Sequence, residues 1–195
     1  MNLEDIRRNL ATSITNPAVR ILSKSRITPN TLTFMNLALS IAAACVIATG
    51  QFVIGGILVL VSGLFDLLDG ALARITKRTT KFGAILDSTV DRVSEAAVFS
   101  GLLIWYIRQE TGLQIALVLI IAVLVGSFLI SYIRARAEGV GLQCQVGLFT
   151  RAERVIVLAI GLLINRVFIV LCILVIFVFI TVVQRLVYLG KQGKG

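Results

Sequence analysis

Past position 30 the chain is almost continuously apolar. Hydrophobic runs cover roughly 31–50, 52–76, 82–107, 112–137, 150–165 and 167–190, separated by short polar breaks. In hydrocarbon, runs like these satisfy their backbone groups as helices, because each N–H and C=O then bonds within its own segment. A helix needs about 20 apolar residues to cross a bilayer core, at about 1.5 Å per residue. The pattern predicts an all-α integral membrane protein with six transmembrane helices. The fifth run is short, and its separation from the sixth requires a tight turn at Asn165-Arg166. Composition agrees, since 57% of the residues are hydrophobic, against about 45–50% in an ordinary soluble domain.

Residues 1–30 are predicted to be a separate juxtamembrane unit, and residues 31–195 the membrane domain. Leu3, Ile6, Leu10, Ile14, Val19 and Leu22 recur every three or four residues. That spacing predicts an amphipathic helix lying in the interface, with Arg7, Arg8, Arg20, Lys24 and Arg26 toward the headgroups. Pro17 breaks or restarts it, and Thr28-Pro29-Asn30 caps the first spanning helix. Positive charge is asymmetric between the two ends of the runs. Lys77, Arg78, Lys81, Arg134, Arg136, Arg151, Arg154, Arg185, Lys191 and Lys194 fall on the same side as the N-terminal cluster, against Arg108 and Arg166 on the other. The positive-inside rule therefore predicts a multi-pass protein of the cell membrane with both termini cytoplasmic.

The formal net charge of +9 suits anionic lipid headgroups or anionic substrates. The basic residues flank apolar runs instead of lining a polar face with interleaved aromatics, so no nucleic-acid partner is expected. There is no histidine, which excludes histidine bases, Ser-His-Asp triads and histidine-ligated zinc. Cys45, Cys144 and Cys172 lack metal-ligand spacing and read as small hydrophobes.

Four aspartates stand within this apolar background: Asp66, Asp69, Asp87 and Asp91. A carboxylate at the centre of a membrane helix costs about 2.5–3.5 kcal/mol on insertion scales, so four need compensation. Asp66 and Asp69 are three apart and Asp87 and Asp91 four apart, so each pair shares a helix face. The second and third runs meet at the cytoplasmic loop around Lys77–Lys81. An antiparallel hairpin would bring the two faces together at matching depth, in a cavity open to the cytoplasm. Facing carboxylates form an oxygen cage for divalent cations. A cation transporter or a structural polar cluster would also use such a cage. Gly70, Ala73 and Gly83 leave room for a ligand or a helix to approach the backbone. Gly55, Gly56 and Gly63 point to close helix packing. Glu95 follows Asp91 by four and extends the polar face, with no role that the sequence assigns.

The string from Asp66 to Asp91, D-x-x-D-G-x-x-A-R-x8-G-x-x-x-D-x-x-x-D, resembles the signature of the CDP-alcohol phosphatidyltransferases at every fixed position. The resemblance extends to a juxtamembrane helix and six spans. It implies transfer of a phosphatidyl or archaetidyl group from CDP-diacylglycerol or CDP-archaeol to an alcohol, with release of CMP. It implies two Mg²⁺ ions, with Mn²⁺ suiting the same hard ligands, on Asp66, Asp69, Asp87 and Asp91. Asp91 would also be the base. Gly70, Ala73, Arg74 and Gly83 would shape the CDP site with Asp66 and Asp69. The family's Pro-Asn-x-Leu-Thr string places Asn30 and Thr33 near the nucleotide; helix capping explains them equally well. A homodimer among membrane lipids is also implied.

A second constellation is Ser131-Tyr132-Ile133-Arg134-Ala135-Arg136-Ala137-Glu138, then Gly147 through Arg151-Ala152-Glu153-Arg154. Clustered guanidiniums bind phosphate in bidentate fashion, although the positive-inside rule also places arginines here. The wording looks like the branch that makes phosphatidylinositol phosphate or archaetidylinositol phosphate, although that branch often has lysine where Arg134 aligns. This implies inositol phosphate as acceptor, bound by Arg134, Arg136, Arg151 and Arg154, with Arg185 joining from the last run. Glycerol 3-phosphate also carries a phosphate and is the alternative acceptor.

Overall fold

Helix caps written in the sequence set where the elements begin. The computed structural model describes Val19 and residues 28–76, 79–109, 114–144 and 146–192. The described residues are helical, with short connections and no strand. The helices are α1 (Pro29–Ala48), α2 (Phe52–Ile75), α3 (Lys81–Ile107), α4 (Gln114–Gly139), α5 (Arg151–Leu163) and α6 (Val167–Gln192). Thr28 caps α1 by accepting the Thr31 N–H at 3.3 Å, with Pro29 following it. Thr80 caps α3 by accepting the Gly83 N–H at 2.9 Å. The turn expected between α5 and α6 is present: Asn165 has φ 55°, and the Arg166 N–H reaches the Gly161 carbonyl at 2.9 Å. Asparagine is among the few side chains that tolerate that left-handed geometry. The amphipathic helix expected over residues 1–30 lies, apart from Val19 and residues 28–30, outside the described residues.

Six helices stand where six apolar runs were read. Of these, α1, α2, α4 and α6 are long and apolar enough to cross a membrane. Helix α3 has 27 residues but carries Lys81, Asp87, Asp91, Arg92 and Glu95, which dilute its apolar character. Helix α5 has 13 residues, about 20 Å at the α-helical rise.

The helices close a ring. In order around it, each packing on the next, stand α1, α2, α5, α6, α4, α3 and again α1. Consecutive helices α2 and α3 therefore both pack on α1 more extensively than on each other. The hairpin read from the sequence is present in connectivity, but its arms flank α1, and the space between them is where the aspartates project. Close backbone approach sets part of this geometry. A side chain at Gly101 would meet the Ala44 backbone of α1, with its Cβ 2.8 Å from Cα. One at Gly56 would lie 3.1 Å from the Ala159 carbonyl of α5.

The main core, including Ile47, Phe99, Leu102, Ile120, Leu162, Leu171 and Leu174, runs through the ring. A smaller cluster of Val19, Leu32, Leu68, Ala71 and Leu72 supports the polar end of α1 and α2 beside the aspartates. Large apolar side chains also point outward along the long helices, as at Val53, Ile57, Leu60 and Leu64 of α2 and Ile115, Val118, Ile121, Val125 and Phe128 of α4. So large an apolar exterior is that of a membrane protein.

Candidate metal centre and active site

The i,i+3 and i,i+4 spacings put the aspartates on the inward faces of α2 and α3. Asp66, Asp69 and Asp87 each offer an oxygen, and these lie within 4.8 Å of one another. Asp69 is buried and accepts a hydrogen bond from the Thr33 hydroxyl of α1 at 2.9 Å. Thr33 thus orients a carboxylate, a job its sequence position did not disclose. One oxygen of Asp87, Oδ1, is buried without a hydrogen-bond partner. Converging hard oxygens with an orphaned lone pair fit a divalent cation.

Asp91 stands beside this trio and outside it. Its carboxylate meets Arg151 Nη1 at 2.7 Å, and the same nitrogen contacts Asp66. Arg92 approaches Asp91 at 3.4 Å while donating to the Ser88 carbonyl at 2.7 Å. One turn deeper on α3, Glu95 takes Nε and Nη2 of Arg154 at 2.8 and 3.1 Å. Two acidic residues a turn apart on α3 therefore face two basic residues a turn apart on α5. Glu95 joins the site through Arg154, and its i,i+4 spacing from Asp91 is the one signal of this in the sequence.

Other predicted residues fall around the cleft. The carboxamide oxygen of Asn30 lies 3.8 Å from where a Cβ of Gly83 would be, so the starts of α1 and α3 adjoin. A Cβ at Gly83 would also come within 2.9 Å of the Thr80 hydroxyl that caps α3. Among the described residues, a Cβ at Gly70 would meet only Arg74 Nη1, at 3.5 Å. Ala73 is half-buried and Arg74 exposed in the last turn of α2.

The five arginines differ in burial and in partners, and Arg185 stands within electrostatic reach of Arg134 and Arg154. Arg151 and Arg154 face α3. Arg185 is buried, donating to the Val146 carbonyl at 3.0 Å and the Ile130 carbonyl at 2.5 Å. Arg134 is exposed and paired with Glu138 at 2.8 Å, and Arg136 is exposed. Deeper in the bundle, Ser62 donates to Asn36 Oδ1 at 2.5 Å and lies 2.7 Å from the Ser40 hydroxyl, a polar tie between α1 and α2.

Fold and site together define a membrane-embedded helical bundle with a carboxylate centre suited to divalent cations. Residues 26–187 match the sequence pattern of the family described as CDP-alcohol phosphatidyltransferase, and the chain belongs to that family of enzymes. It is 40% identical over 157 residues to the phosphatidylinositol phosphate synthase of Mycobacteroides abscessus, covering 80% of this chain and 71% of that one. It is 34% identical over 177 residues to the archaetidylinositol phosphate synthase of Methanothermobacter thermautotrophicus, covering 84% of this chain and 83% of that one. The crystal structure of Mycobacterium tuberculosis phosphatidylinositol phosphate synthase with CDP-DAG bound superposes with TM-score 0.79 at 36% identity, covering 89% of this chain and 92% of that one. Another structure of that synthase, in complex with manganese and citrate, also gives 0.79 at 36% identity, covering 88% and 87%.

Proposed function

We propose that this chain transfers the phosphatidyl or archaetidyl group of CDP-diacylglycerol, or its ether analogue, to inositol phosphate and releases CMP. The observation that carries the reading is the convergence of Asp66, Asp69 and Asp87 beside Asp91 and Arg151, in a chain of this family. These aspartates, with Asp91, would hold two Mg²⁺ ions, or Mn²⁺. Bound there, the cations would neutralise the diphosphate and stabilise the leaving CMP. Thr33 holds Asp69 in its ligating orientation. The Gly70 backbone, with Ala73, Arg74, Gly83 and Asn30, would seat the cytidine and its diphosphate. Asp91 would take the proton of the acceptor hydroxyl as that oxygen bonds to the lipid-side phosphorus and the bond to CMP breaks. Arg134, Arg136, Arg151, Arg154 and Arg185 would gather the acceptor phosphate, with Arg154 and Arg185 already ordered by Glu95 and by backbone carbonyls.

The same reading takes all six helices as spanning, with residues 1–30 as an interfacial unit and 31–195 as the membrane domain. Helix α3 crosses because Asp91 and Glu95 pair with α5 and Asp87 turns toward Asp66 and Asp69, instead of facing lipid. Both termini and the cleft are cytoplasmic in the cell membrane, and the protein works as a homodimer.

The test is CMP release by purified protein with CDP-diacylglycerol and Mg²⁺, offered inositol phosphate, glycerol 3-phosphate, inositol or serine. Turnover is expected only with inositol phosphate. Chelation should abolish it, and Asp91→Asn should lower it by about 10²–10⁴. Turnover with glycerol 3-phosphate would keep the mechanism and replace the acceptor. No metal-dependent CMP release with any acceptor would overturn the reading.

A further inference from the structure

Arg151 occupies carboxylates that the metal centre needs. Its Nη1 contacts Asp66, one of the three clustered ligands, and Asp91 at 2.7 Å. A guanidinium in ion-pair contact with these carboxylates stands close to where a cation would sit, and two positive charges at that separation repel. The seat is also incompletely made. Both ion pairs use the same nitrogen, and Arg151 Nε is buried without a hydrogen-bond partner. Arg154, one turn further, gives two nitrogens, Nε and Nη2, to one carboxylate, Glu95, and keeps Nη1 buried without a hydrogen-bond partner. The backbone at Arg151 is well anchored, because it opens α5 directly after Thr150, whose N–H donates to Glu153 at 2.7 Å. A fixed backbone under a long side chain with an under-satisfied head is a pivot.

We propose that Arg151 is a positioning residue that competes with the divalent cation for Asp66 and Asp91, and that cation binding turns its guanidinium toward the acceptor phosphate. The inference rests on the metal and acceptor assignments above. It adds that the two ligands bind cooperatively through one side chain. Cation loading frees Arg151, and an acceptor phosphate that holds the freed guanidinium keeps it off the carboxylates. By linkage, each ligand must then raise the other's affinity by the same factor. The guanidinium also joins Asp66 of α2 to Asp91 of α3 through its two ion pairs.

The test reads binding, without turnover. Free Mn²⁺ is titrated by electron paramagnetic resonance against the full chain in detergent, without CDP-lipid, in the presence and absence of inositol phosphate. Inositol phosphate is expected to tighten Mn²⁺ binding to the wild type by at least about fivefold, within the usual range of couplings. Arg151→Gln is expected to bind Mn²⁺ more tightly than the wild type by itself and to respond to inositol phosphate no further. Arg151→Lys, which keeps the charge, should restore part of the response. A merely damaged variant loses affinity, so a gain separates competition from structural disturbance. Equal or weaker Mn²⁺ binding by Arg151→Gln overturns the proposal. Mn²⁺ binding by the wild type with no response to inositol phosphate overturns the coupling and leaves the metal centre standing. No Mn²⁺ binding by any of the chains overturns the metal centre and this inference together.

Discussion

Thr33 and Glu95 show how single side chains support the aspartates without joining them. Thr33 donates to a buried Asp69 oxygen at 2.9 Å, so it fixes which lone pairs remain for a cation. Outer-shell partners of this kind are worth about 10–100-fold in metal affinity. Thr33→Val should weaken Mn²⁺ binding by that factor while the helical circular dichroism is unchanged. Glu95 answers a different need. Arg154 is 4% exposed and would be a buried, unpaired charge without it. Removing one partner of a buried pair costs about 3–5 kcal/mol. Glu95→Gln should therefore lower the thermal unfolding midpoint in detergent, and Glu95→Gln with Arg154→Met should recover part of the loss. Neither partnership was legible in the sequence, because Thr33 and Asp69, or Glu95 and Arg154, meet only through the packing of different helices.

Among the elements, the boundaries were largely legible and the neighbours were not. Thr28, Thr80 and the Asn165-Arg166 turn stop and start helices by local hydrogen bonding, which a short stretch of chain contains. The ring order is non-local. Helices α2 and α3 follow each other in the chain, yet each packs extensively on α1. Glycines permit these contacts, since the hydrocarbon gives helices little reason to associate except close packing. Gly101 is the sharpest case, because a Cβ there would overlap the Ala44 backbone, which cannot yield as a flexible side chain would. Gly101→Val should destabilise the bundle by about 1–3 kcal/mol, the usual cost of overpacking. A lowered unfolding midpoint checks this, and an unchanged one would mean that α1 and α3 are not seated as described.

At the scale of the whole molecule, the outward apolar side chains and the inward carboxylates divide the protein between two solvents. The proposed orientation makes a direct prediction about that division. In a chain with its native cysteines replaced, Thr79→Cys should react with an impermeant maleimide only after intact cells are opened. Arg166→Cys should react from outside. Labelling at both positions from outside would reverse or break the topology. The six-helix architecture was visible before any coordinates because apolar runs of this length have one means of satisfying their backbone in lipid.

The helices, most of their ends, the apolar exterior and the placing of the four aspartates on two helix faces are local properties of the chain, since each depends on residues within a few turns of one another. The convergence of Asp66, Asp69 and Asp87, with Asp91 paired to Arg151, comes from packing between helices. The same packing sets the partners of the arginines: α3 carboxylates for Arg151 and Arg154, backbone carbonyls for Arg185 and Glu138 for Arg134. Those outcomes depend on which helix faces which, and on how packed side chains share a limited set of hydrogen-bond partners. No local pattern along the chain carries that information.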